Sequence, residues 1–115
     1  MYQPPYTVEE REFLQDVFDT ALNCGIRYWA KYQRKTPYHS LLVSREDPGE
    51  LLTLDLKAIA RGVAWVMSPA GTKGLNSELW GTIAHSIVAR ESYNIDAEGA
   101  DVIVQAALFG EVIYG

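Results

Sequence analysis

Apolar residues recur every three to four positions at Phe13, Leu14, Val17, Phe18, Ala21 and Leu22, while Glu9, Glu12, Gln15, Asp16 and Asp19 fall mainly on the opposite side. That spacing predicts an amphipathic helix. Its start is marked by Thr7-Val8-Glu9-Glu10, an order in which the hydroxyl and the last carboxylate each satisfy a free backbone N–H. Its end is marked by Gly25, a residue suited to the left-handed position that closes a helix. The helix is therefore placed at about residues 7–23.

At Ile26 the period changes from 3.6 to 2. Ile26, Tyr28, Ala30 and Tyr32 alternate with Arg27, Trp29, Lys31 and Gln33, which predicts a strand with the first set in the core and the second outward. Lys35-Thr36-Pro37-Tyr38 interrupts it, because proline lacks a ladder donor. A second strand follows at Ser40–Arg45. Glu46-Asp47-Pro48-Gly49 is a turn signal, and Leu51–Leu54 reads as a third, short strand. Short links between neighbouring strands imply an antiparallel meander.

Three helices are predicted to follow. Asp55 can cap the first, with Leu56, Ile59, Ala60, Val63, Val66 and Met67 at helical spacing and Gly62 as a place for close packing. Ser68–Gly74, rich in glycine and proline, reads as the longest loop. Asn76 or Ser77 caps the next helix, with rows Leu79, Ile83, Ile87 and Trp80, Ala84, Val88, ending near Ser92. Asp96 caps the last, Ala97–Phe109, which is apolar nearly all round; only Asp101 and Gln105, four residues apart, mark a polar stripe. Such a helix belongs at the centre of the fold or in an oligomer interface. The ending Glu111–Gly115 extends this helix or adds a short strand. The expected architecture is α+β, one domain over residues 1–115: an N-terminal helix, a short three-stranded antiparallel meander, then three helices packed on the sheet.

Composition narrows the function. Hydrophobic residues make up 48% and charged residues 22% of the 115, the balance of a globular domain rather than a disordered chain. No apolar run approaches the roughly 20 residues that span a bilayer, and Met1-Tyr2-Gln3-Pro4-Pro5 lacks the basic start of a signal peptide, so cytoplasmic residence without membrane association is expected. Net charge is -5, which argues against indiscriminate nucleic-acid binding. Cys24 is the single cysteine; it can form neither an internal disulfide nor a zinc cluster, and beside a helix C-terminus it is expected as a buried or half-buried structural thiol.

Four of the ten basic residues, Arg27, Lys31, Arg34 and Lys35, are interleaved with Tyr28, Trp29 and Tyr32. Alternation would bring Arg27, Trp29 and Lys31 to one outward face, with Arg34 nearby, where an indole and cations can anchor a protein partner or hold a base and phosphate. Arg27, Trp29, Lys31 and Arg34 are accordingly the candidate binding residues. The alternative is a core strand with a solvated basic face. Gly71-Thr72-Lys73-Gly74 has the Gly-x-x-Gly order of a backbone-gripping loop but lacks the Gly-Lys-Ser/Thr ending of a phosphate loop, and is read as a plain connection. His39, expected on a turn, and His85, expected half-buried on a helix, fit no catalytic or metal-ligand spacing. Asp96, Glu98 and Asp101 complement the positive start of the last helix. No catalytic residue, metal ligand or cofactor motif is recognisable, so no cofactor is expected.

The junction Thr20-Ala21-Leu22-Asn23-Cys24-Gly25-Ile26-Arg27-Tyr28-Trp29-Ala30, the segment Leu54–Gly62 and the ending Ala100–Gly115 resemble small uncharacterised proteins of phages of actinobacteria. The resemblance implies a phage accessory protein acting inside an infected bacterium and carries no activity to individual residues. The expectation is a protein that binds a host or defence component without catalysis. Sequestering a nucleotide-like small ligand is the alternative, and a homo-oligomer joined through the C-terminal helix is a third reading.

Overall fold

The computed structural model describes residues 6–36, 40–45, 51–92 and 95–114, with the backbone alone for 32–36 and 45. Helix α1, Val8–Thr20, begins at the expected capping box. Thr7 Oγ1 accepts from the Glu10 backbone N–H, and Glu10 Oε1 accepts from that of Thr7, both at 3.1 Å. These bonds, with a smaller contribution from the Arg90 charge, hold the Glu10 carboxyl below its ordinary pKa. Phe13, Leu14, Val17 and Phe18 form the buried stripe.

The chain does not turn straight into a strand. Ala21–Gly25 forms one π-helical turn, closed by the Ile26 N–H donating to the Ala21 carbonyl at 3.1 Å. Gly25 does not serve as a left-handed helix end. It is small because α5 passes close by: a Cβ there would sit 2.9 Å from the Ala97 carbonyl oxygen. Residues 26–29 coil again, with the N–H groups of Trp29 and Ala30 both donating to the Ile26 carbonyl. Ile26, Trp29 and Ala30 are buried while Arg27 and Tyr28 are exposed, the inward pattern i, i+3, i+4 of a helical turn.

Strand β1 therefore starts at Ala30, not Ile26, and runs to Thr36; β2 is Ser40–Arg45 and β3 Leu52–Asp55. They form the expected antiparallel meander, ordered β1-β2-β3, with Leu41 opposite Leu54 and Val43 opposite Leu52. Leu41, Val43 and Leu54 enter the core. The turn at 46–49 and His39 lie outside the described residues.

Among the described residues four α-helices follow, one more than expected. Helix α2, Leu56–Val66, is capped by Asp55 Oδ1, which accepts from the Ala58 N–H at 2.8 Å. The stretch read as a loop is a short helix, α3, Pro69–Gly74, which proline can open because it has no N–H to satisfy. It folds tightly back, so that a Cβ on Gly71 would lie 2.3 Å from the Val66 carbonyl oxygen. Helix α4, Ser77–Ala89, is capped by Asn76 and pinned to the end of α2 by Trp80 Nε1 donating to the Val66 carbonyl at 2.9 Å. His85 on α4 is exposed rather than half-buried.

Helix α5, Ala97–Phe109, is capped by Asp96 and ends at Gly110, whose φ of 72° is left-handed. Every residue from Gly99 to Ala106 is buried within the single chain, covered by α2, α1, the π-helical turn and β3. This central position accounts for a helix apolar on all sides, and it removes the exposed apolar face on which the oligomer reading depended. Among the described residues no helix is long and apolar enough to cross a membrane.

Candidate functional site

Asp101 and Gln105, the polar stripe of the last helix, face inward and organise a polar cluster where residues 26–29, α5 and residues 111–114 meet. Asp101 Oδ1 accepts from Trp29 Nε1 at 2.7 Å and from Gln105 Nε2 at 2.9 Å; Oδ2 accepts from the Tyr28 hydroxyl at 2.5 Å. Gln105 Oε1 accepts from the N–H groups of Ile113 and Tyr114, each at 2.8 Å, and its Nε2 also donates to the Tyr114 carbonyl at 3.0 Å. Both N–H bonds and both acceptor positions of this amide are thereby used. Its orientation is unambiguous, since reversing it would aim donors at two N–H groups and an acceptor at a carboxylate. A glutamine this deeply buried is tolerable only when so completely paired.

The indole of Trp29 is 2% exposed. It stacks on the Tyr114 ring at 5.3 Å and 8° and meets Phe109 at 5.4 Å and 58°. The expectation that Trp29 faces outward beside Arg27 and Lys31 is corrected: the coil at 26–29 turns the indole inward, where Asp101 supplies the acceptor that a buried indole N–H requires. Arg27 is exposed and donates to the Asn23 carbonyl at 3.3 Å. Lys31 is exposed on β1, and Arg34 lies in β1 opposite Leu41, its side chain outside the described residues. Arg27 and Trp29 thus leave the same turn in opposite senses, and no common face unites them with Lys31.

Tyr28, expected in the core, is 52% exposed with only its hydroxyl tied inward. Burial of that hydroxyl, the hydrogen bond to Asp101 and the nearby negative charge raise its pKa from 10.0 to about 12. The native state thus favours the protonated phenol, so this stabilisation is full below pH 10 and is lost as pH climbs through about 12. Tyr28→Phe is expected to cost about 1 kcal/mol at neutral pH, a hydrogen bond to a charged group discounted for exposure. Urea melts of both proteins should show the gap closing between pH 10 and 12; a gap constant over that window would refute the assignment.

Beside the cluster lies a cleft of about 480 Å³, within the range of ligand-binding cavities. Cys24, Gly25 and Tyr28 form one wall and the first turns of α5, including Glu98, Asp101 and Val102, another; Leu75, Leu79, Val112 and Tyr114 complete it. The surface is largely apolar, and among the described residues its carboxylates are Glu98 and Asp101 and no Lys or Arg lines it. Cys24 is exposed at this cleft rather than buried, its Sγ donating to the Thr20 carbonyl at 3.4 Å. A smaller hollow of about 240 Å³ between α1, α2 and α4 has Glu10 and Arg90 as its charged lining residues.

Asp101 is engaged by three donors, and Tyr28 holds its proton far above neutrality, so neither is poised as a base or nucleophile. Among the described residues no group of three His, Cys, Asp or Glu side chains is placed to hold a metal ion. What the arrangement does well is fix an aromatic seat and a side-chain amide beside a mainly apolar recess. Sequence reasoning missed Asp101, Gln105, Tyr114 and the role of Tyr28. The available signal was a pair of polar residues alone on an otherwise apolar helix, with a tryptophan N–H needing an acceptor.

No protein-family model, curated protein or solved structure matches the chain.

Proposed function

We propose that the protein acts by binding, without catalysis, to a protein component of an infected bacterium or of its defence, and that the cleft between residues 24–28, α5 and residues 112–114 receives the partner. The observation that carries this reading is the cleft itself: about 480 Å³ with Leu75, Leu79, Val102 and Val112 in its walls and a half-exposed Tyr28 at its side. Apolar walls favour an apolar anchor by excluding water from it. An exposed tyrosine supplies the large, stiff contact surface that dominates many interfaces. The phage setting rests on the resemblance of residues 20–30, 54–62 and 100–115.

Charge selects among ligands. Among the described residues Glu98 and Asp101 line the cleft without a basic one, so a neutral or basic anchor is favoured and a phosphate is disfavoured. The nucleotide reading also needed the face of Trp29, which Tyr114 covers.

Cys24 is the single cysteine and lines the cleft, which permits a test without altering the fold. Affinity capture from infected cells should recover a partner with the unmodified protein and lose it after alkylation of Cys24 with a bulky maleimide. Leu79→Arg should lose it as well, whereas Lys57→Ala, on the exposed side of α2, should keep it. Recovery of no partner, or of the same partner from all four proteins, would sink the reading.

A further inference from the structure

We infer that the hollow between α1, α2 and α4 is a binding site for a free α-amino acid with an aromatic or branched apolar side chain, its ammonium received by Glu10 and its carboxylate by Arg90. The hollow shares no lining residue with the cleft assigned to the partner, so this site goes beyond the reading above and stands or falls apart from it.

Size sets the scale of the occupant. A volume of about 240 Å³ lies below the roughly 300–1,000 Å³ of pockets for drug-sized ligands, yet exceeds the roughly 150 Å³ of a dry cavity that takes up benzene. One phenyl or branched alkyl group with a few further atoms is what such a space admits. Phe13 and Leu14 of α1, each 5% exposed, with Val63 of α2 and Ile87 of α4, make its walls apolar. An apolar side chain gains by leaving water for these walls.

Charge sets the head group. Among the described residues the charged groups that line the hollow are Glu10 and Arg90, one of each sign. Glu10 is ionised at neutral pH, because its hydrogen bonds with Thr7 hold the carboxyl below its ordinary pKa. Its Oε1 accepts from the Thr7 N–H, while Oε2 faces Arg90 Nη2 at 4.0 Å, beyond the roughly 2.7–2.9 Å of a charge-assisted hydrogen bond. Each head therefore has room for another partner, and both are reachable from water, with side chains 37% and 48% exposed. A ligand with an amine alone would set a second cation beside Arg90, and one with a carboxylate alone a second anion beside Glu10. A zwitterion, whose two charged groups share one carbon, meets both with opposite sign.

The backbone at Arg90 points the same way. This residue caps α4 at a φ of 54°, the single positive value among the described non-glycine residues. Glycine would hold that left-handed position without strain, and residues kept in strained conformations cluster at ligand sites. Arginine here adds strain and supplies the cation that the hollow would otherwise lack.

The test titrates the full chain with L-phenylalanine and with 3-phenylpropionate and phenethylamine, which each lack one of its charges, and follows the amide resonances of Val63 and Ile87. L-Phenylalanine should shift both at about millimolar concentration, the strength expected of so small a ligand. Each singly charged probe should bind about tenfold or more weakly. Glu10→Gln keeps a capping acceptor for Thr7 without the charge, so it should fold as the wild type does, weaken L-phenylalanine about tenfold and leave 3-phenylpropionate no weaker. Arg90→Gly removes the strain together with the cation, so Tm should be no lower while L-phenylalanine binding falls about tenfold or more. Resonances unmoved at about 10 mM L-phenylalanine, far above the expected Kd, would overturn the site. Equal binding of all three probes, or unchanged binding by Glu10→Gln and Arg90→Gly, would overturn it as well.

Discussion

Asp101→Ala is expected to destabilise the fold by about 3–5 kcal/mol, the range for removing one partner from a buried charged network, seen as a lower urea midpoint at unchanged slope. The substitution strips Trp29 Nε1 and Gln105 Nε2 of their shared acceptor and frees the Tyr28 hydroxyl. Trp29 and Gln105 have no water to turn to, at 2% and 0% exposure, so each orphaned donor bears its desolvation cost. Asp101→Asn keeps the shape and one oxygen. That oxygen can still serve Trp29 and Gln105, while the new NH₂ can donate to the Tyr28 oxygen in a reversed bond. Its cost should be nearer 1–2 kcal/mol, roughly that of trading charged for neutral hydrogen bonds. If Asn proves as damaging as Ala, charge rather than the pairing of donors holds this corner. If both are within about 0.5 kcal/mol of wild type, as for ordinary surface positions, the cluster is not structural.

The same cluster marks where local reasoning along the chain stopped. Helix starts were legible because a cap is a contact within three residues: Thr7 with Glu10, Asp55 with Ala58, Asn76 with Leu79 and Asp96 with Gly99 all form as expected. The β2–β3 pairing was legible for a similar reason, since neighbouring short strands have few other ways to pair. Residues 26–30 were ambiguous, because Ile26, Trp29 and Ala30 suit a helical turn as well as Ile26, Tyr28 and Ala30 suit a strand. The choice is made elsewhere in the chain, by an acceptor at Asp101 and a close approach of Gly25 to Ala97, both more than seventy residues away. Asp101 and Gln105 were legible only as a polar stripe, since polarity by itself does not reveal whether the partner is water or protein. At Pro69–Gly74 the glycines outweighed a proline well suited to open a helix, although Gly71 is there for packing. The candidate face of Arg27, Trp29 and Lys31 depended on a strand beginning at Ile26, and it disappears with the coil that replaces it.

Gly62→Ala tests the packing that makes α5 central. A Cβ at Gly62 would stand 2.1 Å from the Ile103 carbonyl oxygen and 2.9 Å from its Cγ2, far inside van der Waals contact. The nearest obstacle is backbone, so no rotamer change relieves it and α2 must separate from α5. Separation loosens the packing of α2 on α5, and dispersion falls steeply with such gaps. Alanine repays part of this, because glycine costs a helix about 1 kcal/mol relative to it, but overpacking against an unyielding neighbour costs about 3 kcal/mol or more. The net expectation is a loss of about 2–4 kcal/mol in urea unfolding. Gly81→Ala is the matched control: it is also inside a helix, a Cβ there meets nothing within 4 Å, and propensity alone should stabilise the protein by about 0.5–1 kcal/mol. Opposite signs for one chemical change at two helical glycines isolate the helix contact as the cause. A Gly62→Ala protein as stable as Gly81→Ala would mean that α2 and α5 do not cross this closely in solution, and α5 would lose the tight cover that lets Asp101 and Gln105 sit inside.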